Sequence, residues 1–219
     1  MIKMHHTVNN LIKIQNQLKD LNENRLKDFT KIIAVSKTFP IDKILPLINY
    51  GHIDFGENKV QEAIEKWTDI KKKYHSVKLH MIGKLQTNKV KFAINLFDYI
   101  HSLDNFKLAK KISDEQKKNN KKPKIFIQIN IGNESQKSGI NSNELNEFYY
   151  DCINDLNLDI IGIMCLPPND NKGDFYFKKM SELIQRISVN ELSMGMSNDY
   201  LEAFKTGATF LRIGSNIFG

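Results

Sequence analysis

An apolar run, Ile32-Ile33-Ala34-Val35, leads into Ser36-Lys37-Thr38, and Pro40 follows. A β-branched run of this kind predicts a buried strand, and a proline cannot extend a ladder, so Lys37 falls at a strand's C-terminal end. An ammonium partly withdrawn from water there has its charged form disfavoured, and the neutral amine becomes a nucleophile toward aldehydes. Lys37 is thus a candidate Schiff-base lysine. Taken alone, the segment reads first as an ordinary solvated lysine, because the chain holds 32 Lys and Arg and strand-end lysines are mostly exposed.

The other strand ends change that balance. Read in order, they carry Glu57 and Asn58, His80 with Gly83, His101, Asn130, Met164, Ser193 to Ser197, and Arg212 with Gly214 and Ser215. Ser197-Asn198-Asp199 at a helix start and Gly214-Ser215-Asn216 after the last strand have the character of a phosphate cup built from hydroxyls and glycine amides. Ordinary caps and turns explain the same residues separately. Together with Lys37 they make an aldehyde-reactive amine beside a phosphate cup, and pyridoxal phosphate has both handles. Arg212 lies between them, where a guanidinium could donate to a pyridine nitrogen; its alternative role is an ion pair inside the barrel with Glu57.

The elements that must position these groups alternate. An amphipathic helix is expected from about His6 to Lys27, capped by Thr7 or Asn9. Eight strand-like segments follow, each but the last trailed by a helix: 32–38, 52–58, 77–83, 99–103, 124–130, 158–166, 192–197 and 208–214. Asp104 is expected to cap the helix after the fourth, and Ser197 or Asn198 the one after the seventh. This pattern predicts an α/β fold, a single (β/α)₈ TIM barrel spanning residues 1–219, with the extra N-terminal helix filling the place left by a missing eighth helix. An open doubly wound sheet is the competing fold; no G-x-G-x-x-G or P-loop motif accompanies it.

Composition narrows the function. The net charge of +7 lies on scattered helical faces and in lysine runs at 71–73 and 117–122 that read as solvated, with no nucleic-acid-binding motif beside them, so nucleic acid is not an expected partner. No stretch approaches the ~20 apolar residues that span a bilayer, and no signal peptide is apparent; no membrane partner is expected and the reading is cytoplasmic. Cys152 and Cys165 form no metal or redox motif and are expected to be packed, reduced thiols.

The segments Ala34-Val35-Ser36-Lys37-Thr38, Phe55-Gly56-Glu57-Asn58, His80-Met81-Ile82-Gly83 with Leu85-Gln86, Lys137-Ser138-Gly139, Leu192-Ser193-Met194-Gly195-Met196-Ser197 and Arg212-Ile213-Gly214-Ser215 closely resemble the pyridoxal phosphate homeostasis protein family. The resemblance runs from the first strand to the last residue. It implies a barrel similar to the N-terminal domain of alanine racemase, holding pyridoxal 5'-phosphate (PLP) as an internal aldimine on Lys37. It further implies Asn58 near the cofactor ring, Ser197, Gly214 and Ser215 on the phosphate, Arg212 on the pyridine nitrogen, and the segment Ser193 to Met196, Met194 included, in the wall of the site. Both Ser193 and Ser197 suit the phosphate. Ser215 stands where many relatives have threonine, which keeps the hydroxyl. Lys137 follows strand five at the same mouth and could relay the aldehyde, or be a solvated loop lysine.

What the resemblance implies is a monomeric carrier that keeps free PLP low and influences vitamin B6 and amino-acid balance, without turnover of its own, and with apo PLP-dependent enzymes as candidate recipients. The alternatives are a racemase-like PLP enzyme and a Schiff-base aldolase acting on a phosphorylated sugar. Racemases need two acid/base groups on opposite faces of the substrate, which weighs against the first.

Overall fold

The structure, a computed structural model, describes residues 4–21 and 30–219. Among them eight parallel strands close into a barrel: β1 (Lys31–Val35), β2 (Asp54–Glu57), β3 (Lys78–Met81), β4 (Tyr99–Leu103), β5 (Lys124–Ile129), β6 (Asp159–Cys165), β7 (Glu191–Ser193) and β8 (Phe210–Ile213). Closure comes from β1 against β8, with Lys31 opposite Phe210 and Ala34 opposite Ile213. The expected topology is the one formed, though every strand but β4 is one to three residues shorter than its expected segment.

Helices cover the outside: α1 (His6–Leu21), α2 (Ile41–Tyr50), α3 (Val60–Lys73), α4 (Val90–Leu96), α5 (Phe106–Asn119), α6 (Leu145–Tyr150), α7 (Gly173–Leu183), α8 (Tyr200–Lys205) and a single turn, α9 (Ser215–Phe218). The helix α1 packs against α2, α8 and α9, which is the place an eighth outer helix would take. Its expected extension through residues 22–27 lies outside the described residues, and Thr7 and Asn9 are inside it rather than capping it. The short α9 was not expected, since four residues give no periodicity to read. Two caps also fall elsewhere. Asn105, not Asp104, accepts the Leu108 amide at the start of α5, and Asp199 precedes α8 while its carboxylate takes the Met196 amide.

The strands separate two packing regions. Outward residues such as Phe55, Leu79, Ile100 and Leu211 join the helices in the main core. Inside, Ile33, Tyr99, Phe126, Met164 and Phe210 form a smaller apolar cluster. Two histidines share that interior: His80 stacks on Tyr99 with ring centres 4.2 Å apart, and His101 on Phe126 at 4.3 Å. Both are fully buried, whereas the strand ends read from the sequence place them at the open mouth. Alternation along each strand turns them inward instead.

Burial holds both histidines below their ordinary range, His101 well below it, because a charged imidazole would lose its water. A bond from His80 to Asp54 opposes this without reversing it. The unfolded chain, with histidines near 6.5, therefore binds protons that the folded barrel refuses once pH drops below that value. Stability is full above that pH and falls as pH descends through the folded values, by at most about 1.4 kcal/mol per pH unit for each histidine. Urea denaturation at pH 7 and pH 5 checks this; equal stability at the two would contradict it.

Candidate functional site

The chemistry gathers at the C-terminal mouth, where the strand sequence decides which way each group points. Along β1, Ile33 faces the interior and Ala34 the outside, so counting by twos turns Val35 and Lys37 inward and Ser36 outward. Val35 and Lys37 line a cavity of about 880 Å³ with Asn58, Gly83, Met196, Ser197, Asp199, Arg212, Gly214 and Ser215, a size suited to a cofactor-sized ligand. Lys37 sits two residues beyond the strand and is exposed, so the expected withdrawal of its ammonium from water is absent. Its reach into the cavity rests on position, not on burial.

Ser36 shows what holds that position. Its hydroxyl donates to Glu57 Oε1 at 2.7 Å, and Lys66 Nζ, on α3, donates to the Ser36 carbonyl at 2.9 Å. Glu57 has no exposed surface and also accepts from Lys66 at 3.0 Å and from the Trp67 indole at 2.9 Å. A buried carboxylate and a mostly buried lysine thus clamp the residue just before Lys37. Glu57 points outward to α3, so it is not the partner of Arg212 suggested by the sequence. Adjacent Asn58 is pinned from the other side, because Gly83 approaches so closely that an added Cβ would lie 2.3 Å from the Asn58 carbonyl oxygen.

On the adjoining side of the mouth the end of β8 meets the turn after β7. The Gly214 amide donates to Ser197 Oγ at 3.2 Å, the Asn216 amide reaches the same oxygen at 3.5 Å, and the Asn216 side chain donates to the Ser197 carbonyl at 2.8 Å. A hydroxyl and converging amides suit an anion. Arg212, 4% exposed, donates to Ser193 Oγ at 2.6 Å and to the Cys165 carbonyl at 2.8 Å. Among the described residues no carboxylate lies within ion-pair distance of it. Asp199 is the nearest acidic influence; burial pushes its carboxyl up, against the Met196 amide and the Arg212 charge.

Of the residues singled out from sequence, Lys37, Asn58, Ser197, Arg212, Gly214 and Ser215 share this cavity. Ser193 and Met194 do not line it: Met194 faces the outer core and Ser193 is sealed beneath, bound to Arg212. Met196, the last residue of the segment expected to wall the site, does line it, and Gln128 and Leu166 line it without that expectation. Leu166 ends an apolar run, and Gln128 is the one polar residue inside another, features the sequence did display. Lys137 is at the mouth but tied to Glu134 at 2.5 Å and to the Pro167 carbonyl at 3.0 Å. Cys165 and Cys152 are buried with thiols pushed up to about 12, consistent with packing alone. Among the described residues no cluster could hold a metal ion.

Known proteins resemble this arrangement. Residues 10–219 match the family described as alanine racemase, N-terminal domain. The pyridoxal phosphate homeostasis protein of Haemophilus influenzae is 38% identical over 221 residues, covering 96% of this chain and 93% of that protein. The protein of that name from Escherichia coli is 32% identical over 197 residues, 86% and 84% of the two. PipY of Synechococcus elongatus with PLP bound superposes with a TM-score of 0.84 at 29% identity, covering 97% of this chain and 100% of that one. A Clostridium difficile alanine racemase shares the fold, with a TM-score of 0.73 at 17% identity over 56% of its length.

The Glu57 clamp gives a direct test. Glu57→Gln removes the charge that Lys66 and Trp67 close upon, and should lower unfolding free energy by about 3 kcal/mol in urea titrations, the scale for breaking a buried pair. A loss under about 1 kcal/mol would place the clamp with ordinary surface pairs.

Proposed function

Since this chain belongs to the alanine racemase N-terminal domain family, and within it to the pyridoxal phosphate homeostasis proteins, we propose that it binds PLP in the cavity at the mouth of its barrel and serves intracellular PLP balance. Lys37 would bond the aldehyde carbon. Ser197, Gly214 and Ser215 would hold the phosphate, Arg212 would donate to the pyridine nitrogen, and Asn58 would lie near the ring. When bound, PLP supplies an electrophilic carbonyl and an electron-accepting ring. The observation that carries this reading is Arg212: a buried guanidinium, with no carboxylate at ion-pair distance among the described residues, opens onto the same cavity as Lys37, beside a set of anion donors.

The donor set fits that cofactor in detail. An arginine cannot take up a proton from the ring and disfavours placing one there, which leaves the ring a weak electron sink. That favours holding over turnover. Racemisation needs a second acid/base group facing the substrate. Among the described residues, no tyrosine or histidine lines the cavity; of the other titratable groups there, Lys137 is engaged by Glu134 and Pro167, Asp199 accepts from the Met196 amide, and Lys84 is exposed. Lys37 is exposed, so the bound aldehyde stays open to other amines, as a carrier handing PLP to apo-enzymes requires. We read the carrier as a single barrel domain, monomeric and cytoplasmic; among the described residues no helix is long and apolar enough to cross a membrane.

Titration of the protein with PLP, followed by absorbance, tests this. A visible band should grow to one equivalent, and Lys37→Ala should lose that band while keeping the circular dichroism of the barrel. Retention of the band in the folded variant would show that another amine carries the cofactor.

A further inference from the structure

Below the cavity floor, hydrogen bonds run in series through the barrel interior. Arg212 Nη1 donates to Ser193 Oγ at 2.6 Å; Ser193 Oγ lies 2.8 Å from His101 Nδ1; His101 Nε2 lies 3.0 Å from His80 Nδ1; and His80 Nε2 lies 2.9 Å from Asp54 Oδ1. The five side chains come from β8, β7, β4, β3 and β2, and all are buried. None of this was legible as a motif, because no two are neighbours in sequence.

Donor chemistry fixes the direction. Ser193 Oγ accepts from the guanidinium, and its own proton can go to His101 Nδ1. His101 then carries its proton on Nε2 and donates to His80 Nδ1, and His80 carries its proton on Nε2 and donates to the Asp54 carboxylate. The opposite order would require a protonated Asp54 or a charged His80. Burial works against a charged His80, and although burial also pushes the Asp54 carboxyl up, the His80 bond with the His80, His52 and Lys31 charges brings it below the usual range. Lys31 and Asp98 act on His80 with opposite signs, and Arg212 adds to the forces keeping His101 neutral.

We propose that Ser193, His101, His80 and Asp54 form one positioning chain that fixes the Arg212 guanidinium at the cavity floor, with Asp54 as its remote counter-charge. Every bond is donated away from the cation and toward the carboxylate, so the neutral groups between them are polarised in one sense. The chain holds an orientation and does not conduct protons, because conduction would require the guanidinium to give one up. The effect on PLP rests on the function proposed above; the chain itself does not.

Two measurements decide it. In ligand-free protein with ¹⁵N-labelled histidine at about pH 7.5, both His80 and His101 should be neutral with the proton on Nε2. Either ring protonated on Nδ1, or charged, overturns the chain. Ser193→Ala should then leave His101 Nδ1 without its donor and move the ¹⁵N shift of that nitrogen, weaken PLP binding about tenfold and move the visible band, and Ser193→Thr, which keeps the hydroxyl, should restore all three. An alanine variant with shifted His101 but unchanged PLP affinity and band overturns the positioning role. Unmutated protein that binds no PLP would defeat the functional reading alone, and the tautomers would still decide the chain.

Discussion

The pairing of β1 with β8 is the constraint on which the rest depends. Lys37 and Arg212 are 175 positions apart in sequence, and only closure of the barrel brings their strand ends side by side. The register is specific: Ile33 lies opposite Arg212 and Ala34 opposite Ile213, so Gly214 lies next to the Val35 backbone and the chain then carries Lys37 over the same rim. A shift of one residue would turn Lys37 outward and Ser36 inward. The apolar faces forbid it, since Ile33 and Phe210 pack inside while Ile32 and Leu211 pack against the helices.

Within that frame the protein keeps its buried charges apart. Glu57 and Lys66 meet outside the strands, beneath α3, where they brace the turn holding Lys37. Arg212 sits inside with no carboxylate at ion-pair distance among the described residues, and its electrostatic balance comes through neutral groups from Asp54, at the opposite end of the interior. Pairing Arg212 directly with a buried acid would neutralise the guanidinium at the place where a ligand must meet it. Distance solves that problem. It leaves the cavity wall cationic while each side chain from Arg212 to Asp54 keeps a hydrogen-bonding partner.

Much of this was readable beforehand, for a physical reason. In a parallel barrel both faces of each strand are buried, so the strands show as apolar runs and the polar residues after them mark the mouth. That rule located Lys37, Asn58, Ser197, Arg212, Gly214 and Ser215. The same rule misplaced Glu57, His80, His101 and Ser193, because a run apolar on both faces hides which face its last residue takes. Only the register with neighbouring strands settles this, as when Asp54 and His80 turn inward together and Glu57 turns out to Trp67. The withdrawal of Lys37 from water was an inference from strand position alone, and the two residues past β1 undo it.

The central claim is that the lysine at this rim carries the cofactor aldehyde. The most direct measurement is borohydride reduction of the PLP-treated protein, followed by mass analysis of its peptides. A single reduced pyridoxyl group on Lys37 is the expected result. Label on Lys137 or spread over surface lysines, with Lys37 unmodified, would contradict the account.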